Sequence, residues 1–397
     1  MPQNRSNHQA PKGDRIVRMK ELPTIRTSDR TLFRRCRRKW ALTSHLKGGY
    51  RPRITPPYFW LGTGCHFALQ DYHGWNDYGD PVAALNAYVE AQRKFTQRTE
   101  YELPEDWQEQ HTLGQGILRH YLTWEARRSD NLEVPKIETL WEDGEPQVEV
   151  KIQIPMTLDD DTDFMYSATI DRICKVRNAG DTDDDSDVQL YIEDYKFYKA
   201  FDAQPLEWNQ QLSAYIWAAN KLFVDTKYSV IGGIITQFKK VLPQEPRILS
   251  SGRISTDKTQ ATTADMYKRA LLDVYGDLSR VPKGNMDCLN HLVMQEMPHF
   301  DNFIRRDFTT RTPIQRDNEE LKIQMEAHDM LDPQLPLYPN MTRDCTWDCN
   351  MRDVCLMIDR DDDWEAVVKL EHTNATSSED NWQEYLPTPQ QPTTNWG

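Results

Sequence analysis

Three successive stretches, Val148 to Met156, Phe164 to Arg177 and Val188 to Tyr198, alternate in character and are rich in β-branched and aromatic residues. That period predicts strands. Upstream the period is helical. Thr27 or Ser28 is suited to cap a helix that carries Cys36 and ends near Ser44, and Pro52, Pro56 and Pro57 mark a loop. A second helix is predicted from about Tyr58 through His66 to Tyr72, a third from Asp80 with Pro81 in its first turn, and a longer one over Glu105 to Arg128. Residues 80–130 are thus expected to form a helical block. Downstream of Pro205, Leu206 to Phe223 reads as helix, Tyr228 to Val241 as strand and Thr262 to Leu278 as helix. Residues 282–340 are mixed, without a clear period. The order helix, three strands, helix, strand predicts an α/β fold: a mixed central sheet flanked by helices.

The connections are polar. Asn178 to Asp187 is rich in Gly and Asp, but Ser186 or Val188 stands where a calcium-binding EF-hand needs Gly, so a solvated turn is expected. Residues 1–20 read as a flexible arm, and residues 359–397, dominated by Pro, Thr, Asn, Gln and acids, as a disordered acidic tail. The main folded unit is expected over 21–358. At 397 residues with 38% hydrophobic content, the chain has ample material for a core. It contains no apolar run of about 20 residues and no apolar signal segment at its start, so a cytoplasmic protein without membrane contact is expected.

Net charge changes the picture. A value of −14 argues against a polyanion partner, yet the average hides a polarity. Arg34, Arg35, Arg37, Arg38 and Lys39 cluster near the start, interleaved with Leu32, Phe33, Trp40 and Leu42 at helical spacing. This predicts an ordered helix with a cationic face turned to an anionic polymer.

The chemistry concentrates on the third strand. Asp194 and Lys196 lie two positions apart, so their side chains share a face while Tyr195 points away. Asp171 ends the apolar run Ser167 to Ile170, and a hairpin would bring it near Asp194. Two facing carboxylates are costly without a cation between them, and oxygen ligands suit Mg²⁺ or Mn²⁺. Such an ion polarises a phosphodiester and activates water, while Lys196 orients that water or stabilises developing charge. His66, in Gly62-Thr63-Gly64-Cys65-His66, could add an imidazole ligand, whereas His73 reads as a satisfied helix histidine.

These residues carry a resemblance to the RecB-like branch of the PD-(D/E)XK nucleases, particularly its iron-sulfur members: CRISPR-associated exonucleases, the AddB nuclease domain and viral recombination exonucleases. His66 resembles the family's helical histidine motif, Ile170-Asp171-Arg172 its second motif, Asp194-Tyr195-Lys196 its Asp-Tyr-Lys motif, and Gln211 with Tyr215 its Gln-x-x-x-Tyr helix. The resemblance implies a restriction-endonuclease-like core and a metal held by His66, Asp171, Asp194 and the Tyr195 carbonyl. It further implies catalysis by Lys196, and support and DNA contact from Gln211 and Tyr215. Glu149 resembles an acid placed before the second motif.

Seven cysteines without a secretion signal point to reduced thiols and to metal ligation. Cys345, Cys349 and Cys355 have the spacing C-x3-C-x5-C, and Cys36 lies far upstream. One distant cysteine with a C-terminal trio resembles the 4Fe-4S arrangement of that nuclease family more than a zinc ribbon. Zinc in the same four thiolates, or free structural cysteines, are the alternatives. A cluster there would clasp the two ends of the fold. Cys65, Cys174 and Cys288 are isolated and read as core. No G-x-x-x-x-G-K-[ST] phosphate loop is present, so any unwinding would come from a separate helicase. The expected activity is digestion of DNA ends in recombination or repair, with a single-strand annealing or binding protein as an expected partner by analogy. The rivals are a non-catalytic DNA-binding subunit and a nuclease that trims DNA for CRISPR integration.

Overall fold

The computed structural model describes residues 22–54, 57–129, 131, 134–178, 189–224, 226, 228–296, 301–346, 348–374 and 382–388. The arm at 1–20, most of the Asn178–Asp187 loop, and residues 375–381 and 389–397 of the expected tail lie outside them. In chain order the elements are β1 (Thr24–Arg26), α1 (Thr27–Arg35), α2 (Arg37–Thr43), β2 (Tyr50–Pro52), α3 (Pro57–His73), α4 (Pro81–Thr96) and α5 (Trp107–Ser129). The sheet follows with β3 (Lys136–Thr139), β4 (Val148–Thr157), β5 (Asp163–Arg177), β6 (Gln189–Tyr198), α6 (Gln210–Leu222) and β7 (Val230–Lys239). Then come α7 (Ala264–Tyr275), α8 (Lys283–Gln295), β8 (Ile304–Thr310), α9 (Pro313–Leu331), α10 (Arg352–Arg360), α11 (Trp364–Glu371) and β9 (His372–Asn374).

The central sheet is mixed. β5 pairs antiparallel with β3, β4 and β6 and parallel with β1, while β6 runs parallel to β7 and β7 antiparallel to β8. The β6–α6–β7 crossover lays α6 on one sheet face, where Leu212 meets Ile192 and Gly233 in the larger core. On the opposite face α3, α4 and α5 form a second core around Trp60, Leu61, Leu85, Tyr88, Leu118 and Tyr121. Gly64 is what lets α3 approach α4 so closely: a Cβ there would fall 2.7 Å from the Tyr88 ring. Backbone proximity at Gly64 thus fixes the height of the next turn, which carries His66.

Three regions depart from the sequence reading. The first helix is broken at Cys36, whose extended backbone ends α1 and whose Sγ accepts from Lys39 N at the start of α2. Residues 282–340 contain α8, β8 and α9. Thr312 and Gln315 form a capping box with Pro313 in the first turn of α9, a local signal present in the sequence but masked by the weak periodicity around it. The segment after Asp359, expected to be disordered, contains α11 and then β9, which pairs antiparallel with β2 through His372↔Pro52 and Asn374↔Tyr50. Val368 is buried beside Leu42, Met351 and Val354, a long-range cluster that composition could not reveal.

Residues 382–388 also pack. Trp382 meets the rings of Phe67 and Tyr88 at centroid distances of 5.5 and 4.8 Å, and Tyr385 stands 6.0 Å from Phe95. These contacts brace the helix that carries His66. Trp382→Ala should cost about 1–3 kcal/mol, since the aromatic is only partly buried. The check is the free energy of urea unfolding, and an unchanged value would mean that the segment adds nothing to the fold.

Candidate active site and cysteine centre

The site is built where the β5–β6 ladder opens. Regular pairing runs through Arg172↔Glu193 and stops there. One step further on, Tyr195 N donates to Asp171 Oδ2 at 2.9 Å, so a carboxylate takes the place of a ladder acceptor. The splay holds Asp171 beside Asp194 without closing the strands over them. On β6, Asp194 and Lys196 share one face as the alternation requires, with Lys196 Nζ 2.7 Å from Asp194 Oδ2. From α3, His66 Nδ1 reaches Asp171 Oδ2 at 3.2 Å. From α6, Gln211 Nε2 donates to Tyr215 Oη at 2.8 Å, and burial together with the Asp194 charge pushes the Tyr215 phenol up. His66, Asp171, Asp194, Tyr195, Lys196, Gln211 and Tyr215 are therefore brought into one neighbourhood.

Electrostatics tie these groups together. Burial raises the Asp194 carboxyl, opposed by Lys196 and reinforced by the negative charge of Asp171. Burial pushes Asp171 the same way, but His66, Lys196 and the Tyr195 N–H outweigh it and hold that carboxyl below its ordinary value. Burial would lower His66, and Asp171 overrides it to raise the imidazole instead. Two acids of unequal character thus share a pocket with one imidazole and one ammonium.

Glu149 belongs to the same neighbourhood. It adopts φ 47°, in the left-handed region that non-glycine residues seldom visit, between Val148↔Arg172 and Val150↔Ile170 of the β4–β5 ladder. Burial and the Asp171 charge push its carboxyl up, while His66 lowers it. The resemblance pointed to this acid, but its left-handed backbone has no signature in the sequence. His73, on α3 with His66, is satisfied elsewhere: Nε2 lies 2.7 Å from Tyr121 Oη, and its ring stacks 6.2 Å from Tyr195.

The four cysteines at 36, 345, 349 and 355 line one cavity with Lys39, Leu42, Met341 and Met351. Donors surround the sulfurs. Cys36 Sγ accepts from Lys39 N and Asn340 N at 3.4 and 3.5 Å, Cys345 Sγ from Thr342 N at 3.5 Å, and Cys355 Sγ from Arg38 Nη1 at 3.6 Å. N–H donors and a guanidinium are the surroundings that thiolate ligands require. Cys65, Cys174 and Cys288 are fully buried, and burial pushes the thiols of Cys65 and Cys174 up to about 12, which makes them inert core residues. Among the described residues, no three His, Cys, Asp or Glu side chains are already gathered closely enough to hold a metal ion. The four cysteines line a space rather than close on a point.

The basic run is paired within the chain. Arg34 Nη1 meets Glu326 at 2.9 Å, Arg35 Nη2 meets Asp348 at 2.6 Å and Asp344 at 3.2 Å, and Arg37 Nη2 meets Asp329 at 3.0 Å. Arg38 Nη1 meets Asp359 at 2.5 Å, and Lys39 Nζ donates to Asp348 O at 3.1 Å. Arg30 is buried between Glu319 and Glu326 at 2.9 and 2.5 Å. These cations, expected to face an anionic polymer, lie against acids of α9, the cysteine segment and α10. Arg34→Gln combined with Arg37→Gln should leave DNA affinity within about twofold, since neither replaces a phosphate contact. Fluorescence anisotropy checks this, and a loss of tenfold or more would restore them to the DNA face.

The family follows from this arrangement and from its motif order. A family model, the PD-(D/E)XK nuclease superfamily, matches residues 27–356. The chain belongs to the PD-(D/E)XK nuclease superfamily. The match takes in both the carboxylate site and the cysteine centre. A search of curated proteins finds no match. Members of this superfamily are nucleases that generally use Mg²⁺ or Mn²⁺, and the mixed sheet with its opened β5–β6 edge is consistent with that core. Among the described residues, no helix is long and apolar enough to cross a membrane.

Proposed function

We propose that this PD-(D/E)XK protein is a metal-dependent DNA exonuclease that hydrolyses phosphodiester bonds from DNA ends in recombination or repair. One observation carries the reading: the carboxylates of Asp171 and Asp194 share a buried neighbourhood with His66 and Lys196. The donor set fits a hard divalent cation, with Asp171, Asp194, His66 and the Tyr195 carbonyl as ligands. When bound, Mg²⁺ or Mn²⁺ supplies Lewis-acid polarisation of the phosphate and a lowered pKa for water.

The chain's own residues do the rest. Lys196, held against Asp194 and partly exposed, can place a proton donor at the scissile phosphate and neutralise charge as it develops. Asp171 is anchored across the opened β5–β6 ladder by Tyr195 N, and Asp194 is held by Lys196. Gln211 and Tyr215 close the α6 side of the pocket and orient the DNA strand. Exonuclease action follows the resemblance of the motif set to RecB-like exonucleases, and the single-strand annealing protein or helicase that would work with it is the same kind of proposal.

The cysteine cavity fits a 4Fe-4S cluster on Cys36, Cys345, Cys349 and Cys355, with Zn²⁺ as the alternative ion. Its role would be mechanical, joining the α1–α2 break to α10 and the segment before it. Cys36→Ser should lose the metal and lower the melting temperature, read by iron and zinc analysis with the visible absorption of anaerobically purified protein. Zinc alone in the wild type would replace the cluster with the alternative. The activity test is digestion of 5′- and 3′-labelled single- and double-stranded DNA with Mg²⁺ or Mn²⁺. Progressive loss from one end supports the proposal. A folded, metal-loaded protein that cuts nothing would make it a binding subunit, and internal cuts alone would make it an endonuclease.

A further inference from the structure

The N-terminal arginines are paired with the chain's own acids, so cations elsewhere are candidates for holding DNA. The C-terminal ends of β6 and β7 supply cations. Lys199 is exposed just past β6, while Lys239 and Lys240 are half-buried at the end of β7, where Tyr198 pairs with Lys239 and Lys240 N donates to Tyr198 O at 2.8 Å. Lys239 Nζ lies 4.6 Å above the Phe201 ring. Burial pushes the Lys240 ammonium down, opposed by Cys65 and reinforced by the Lys199 charge. The loop that follows is tied to the catalytic level. Asp202 N donates to Gln237 Oε1 at 2.8 Å, and Gln237 is the register partner of Lys196.

That loop ends in a short turn, Leu206–Trp208, on which Trp208 is 74% exposed. The turn is rigid. Trp208 N donates to Pro205 O and Asn209 N to Leu206 O, both at 3.0 Å, and Asn209 Oδ1 caps α6 through Leu212 N. The buried Arg311 clamps it from β8, with Nη2 donating to Leu206 O at 2.7 Å and Nε to Ser213 Oγ at 2.9 Å. Trp208 lies just ahead of α6, three residues before Gln211, with the extended Asn209 between the turn and the helix. Glu207 and Ser213 line a different pocket, on the Arg311 and Gln315 side. A large aromatic left in water on an immobilised backbone is a preorganised stacking surface.

We infer that Trp208, with Phe201, Lys199, Lys239 and Lys240, forms a rim that binds single-stranded DNA beside the catalytic strand. Trp208 stacks on an unpaired base, and the lysine ammonium groups take the flanking phosphates. In a duplex the faces of an internal base are covered by its neighbours, so the rim favours an unpaired strand. The inference rests on the nuclease reading of the adjacent site.

The test separates the two. Binding of fluorescein-labelled single-stranded and duplex oligonucleotides is measured in EDTA, where cleavage is silent, and digestion is then followed with Mg²⁺ or Mn²⁺. Trp208→Ala should weaken single-strand binding about tenfold with duplex binding nearly unchanged, and Trp208→Phe should recover most of the loss. Lys199→Gln with Lys239→Gln should flatten the dependence of affinity on salt, by about 0.7 in log–log slope for each phosphate released. Equal single-strand binding by Trp208→Ala and wild type, at equal melting temperature, would overturn the rim. Absence of cleavage by a wild type that still binds through Trp208 would overturn the nuclease reading and leave the rim standing.

Discussion

Lys196→Ala should cleave DNA at least about a hundredfold more slowly than the wild type while keeping its fold and its cysteine-bound metal. The Lys196 side chain is 24% exposed and reaches the pocket from the same strand face as Asp194. Its ammonium is the cation next to both acids: Asp194 and Asp171 raise it against the opposing effect of burial. Removal deletes a positioned donor and leaves the Asp194 carboxylate without its counter-charge, so transition-state stabilisation and the electrostatics of the metal pocket fail together. Lys196→Arg keeps the charge but spreads it over a planar fork, and should recover only part of the rate. Single-turnover digestion across a titration of Mg²⁺ and Mn²⁺ reads the effect. A Lys196→Ala rate within a few-fold of wild type would remove this lysine from the chemistry.

The largest effect on stability is expected behind the same strand. Glu193 faces away from Asp194 and is fully buried. It receives Arg172 Nη1 at 2.9 Å, Arg306 Nη2 at 3.0 Å, Thr236 Oγ1 at 2.6 Å and Tyr195 Oη at 3.2 Å. Burial alone would raise its carboxyl, but Arg306 and Arg172 outweigh burial and hold it well below the usual carboxylate range. Glu193→Ala leaves two arginines in the interior with Glu125, 2.6 Å from Arg306, as one remaining carboxylate, and should cost about 3–5 kcal/mol. Replacing Glu193 and Arg172 together with apolar residues of similar volume should cost less than Glu193→Ala, because what destabilises is the uncompensated charge. Equilibrium urea unfolding of both variants decides this. A Glu193→Ala loss below about 1 kcal/mol would mean that water or other groups already compensate the two arginines.

This network bears on the site, since Glu193 and Tyr195 flank Asp194 on one strand. The back of β6 is held by ionic and hydroxyl contacts, and its front presents the reactive pair. A rigid back allows the strands to part after Arg172↔Glu193 without loosening Asp194.

The amino-acid sequence by itself determined the local features. Alternation set β4, β5 and β6 to within a residue or two, and the two-residue strand period was enough to place Asp194 and Lys196 on one face. The stretch from Gln211 to Tyr215 was legible as helix for the same local reason. What only the tertiary structure decided depends on contacts between distant parts of the chain. The cationic run was visible, but its partners, Glu326, Asp329, Asp344, Asp348 and Asp359, lie about three hundred residues away, and charge pairing leaves no periodic trace. The break at Cys36 was hidden because helix propensity continues across it, and it is the cysteine cavity that favours the extended residue. The left-handed Glu149 and the clamp of Arg311 on the Trp208 turn likewise exist only once β4, β5, β8 and α6 are assembled. Periodicity reports which side of an element is buried, whereas the identity of the partner is fixed by packing.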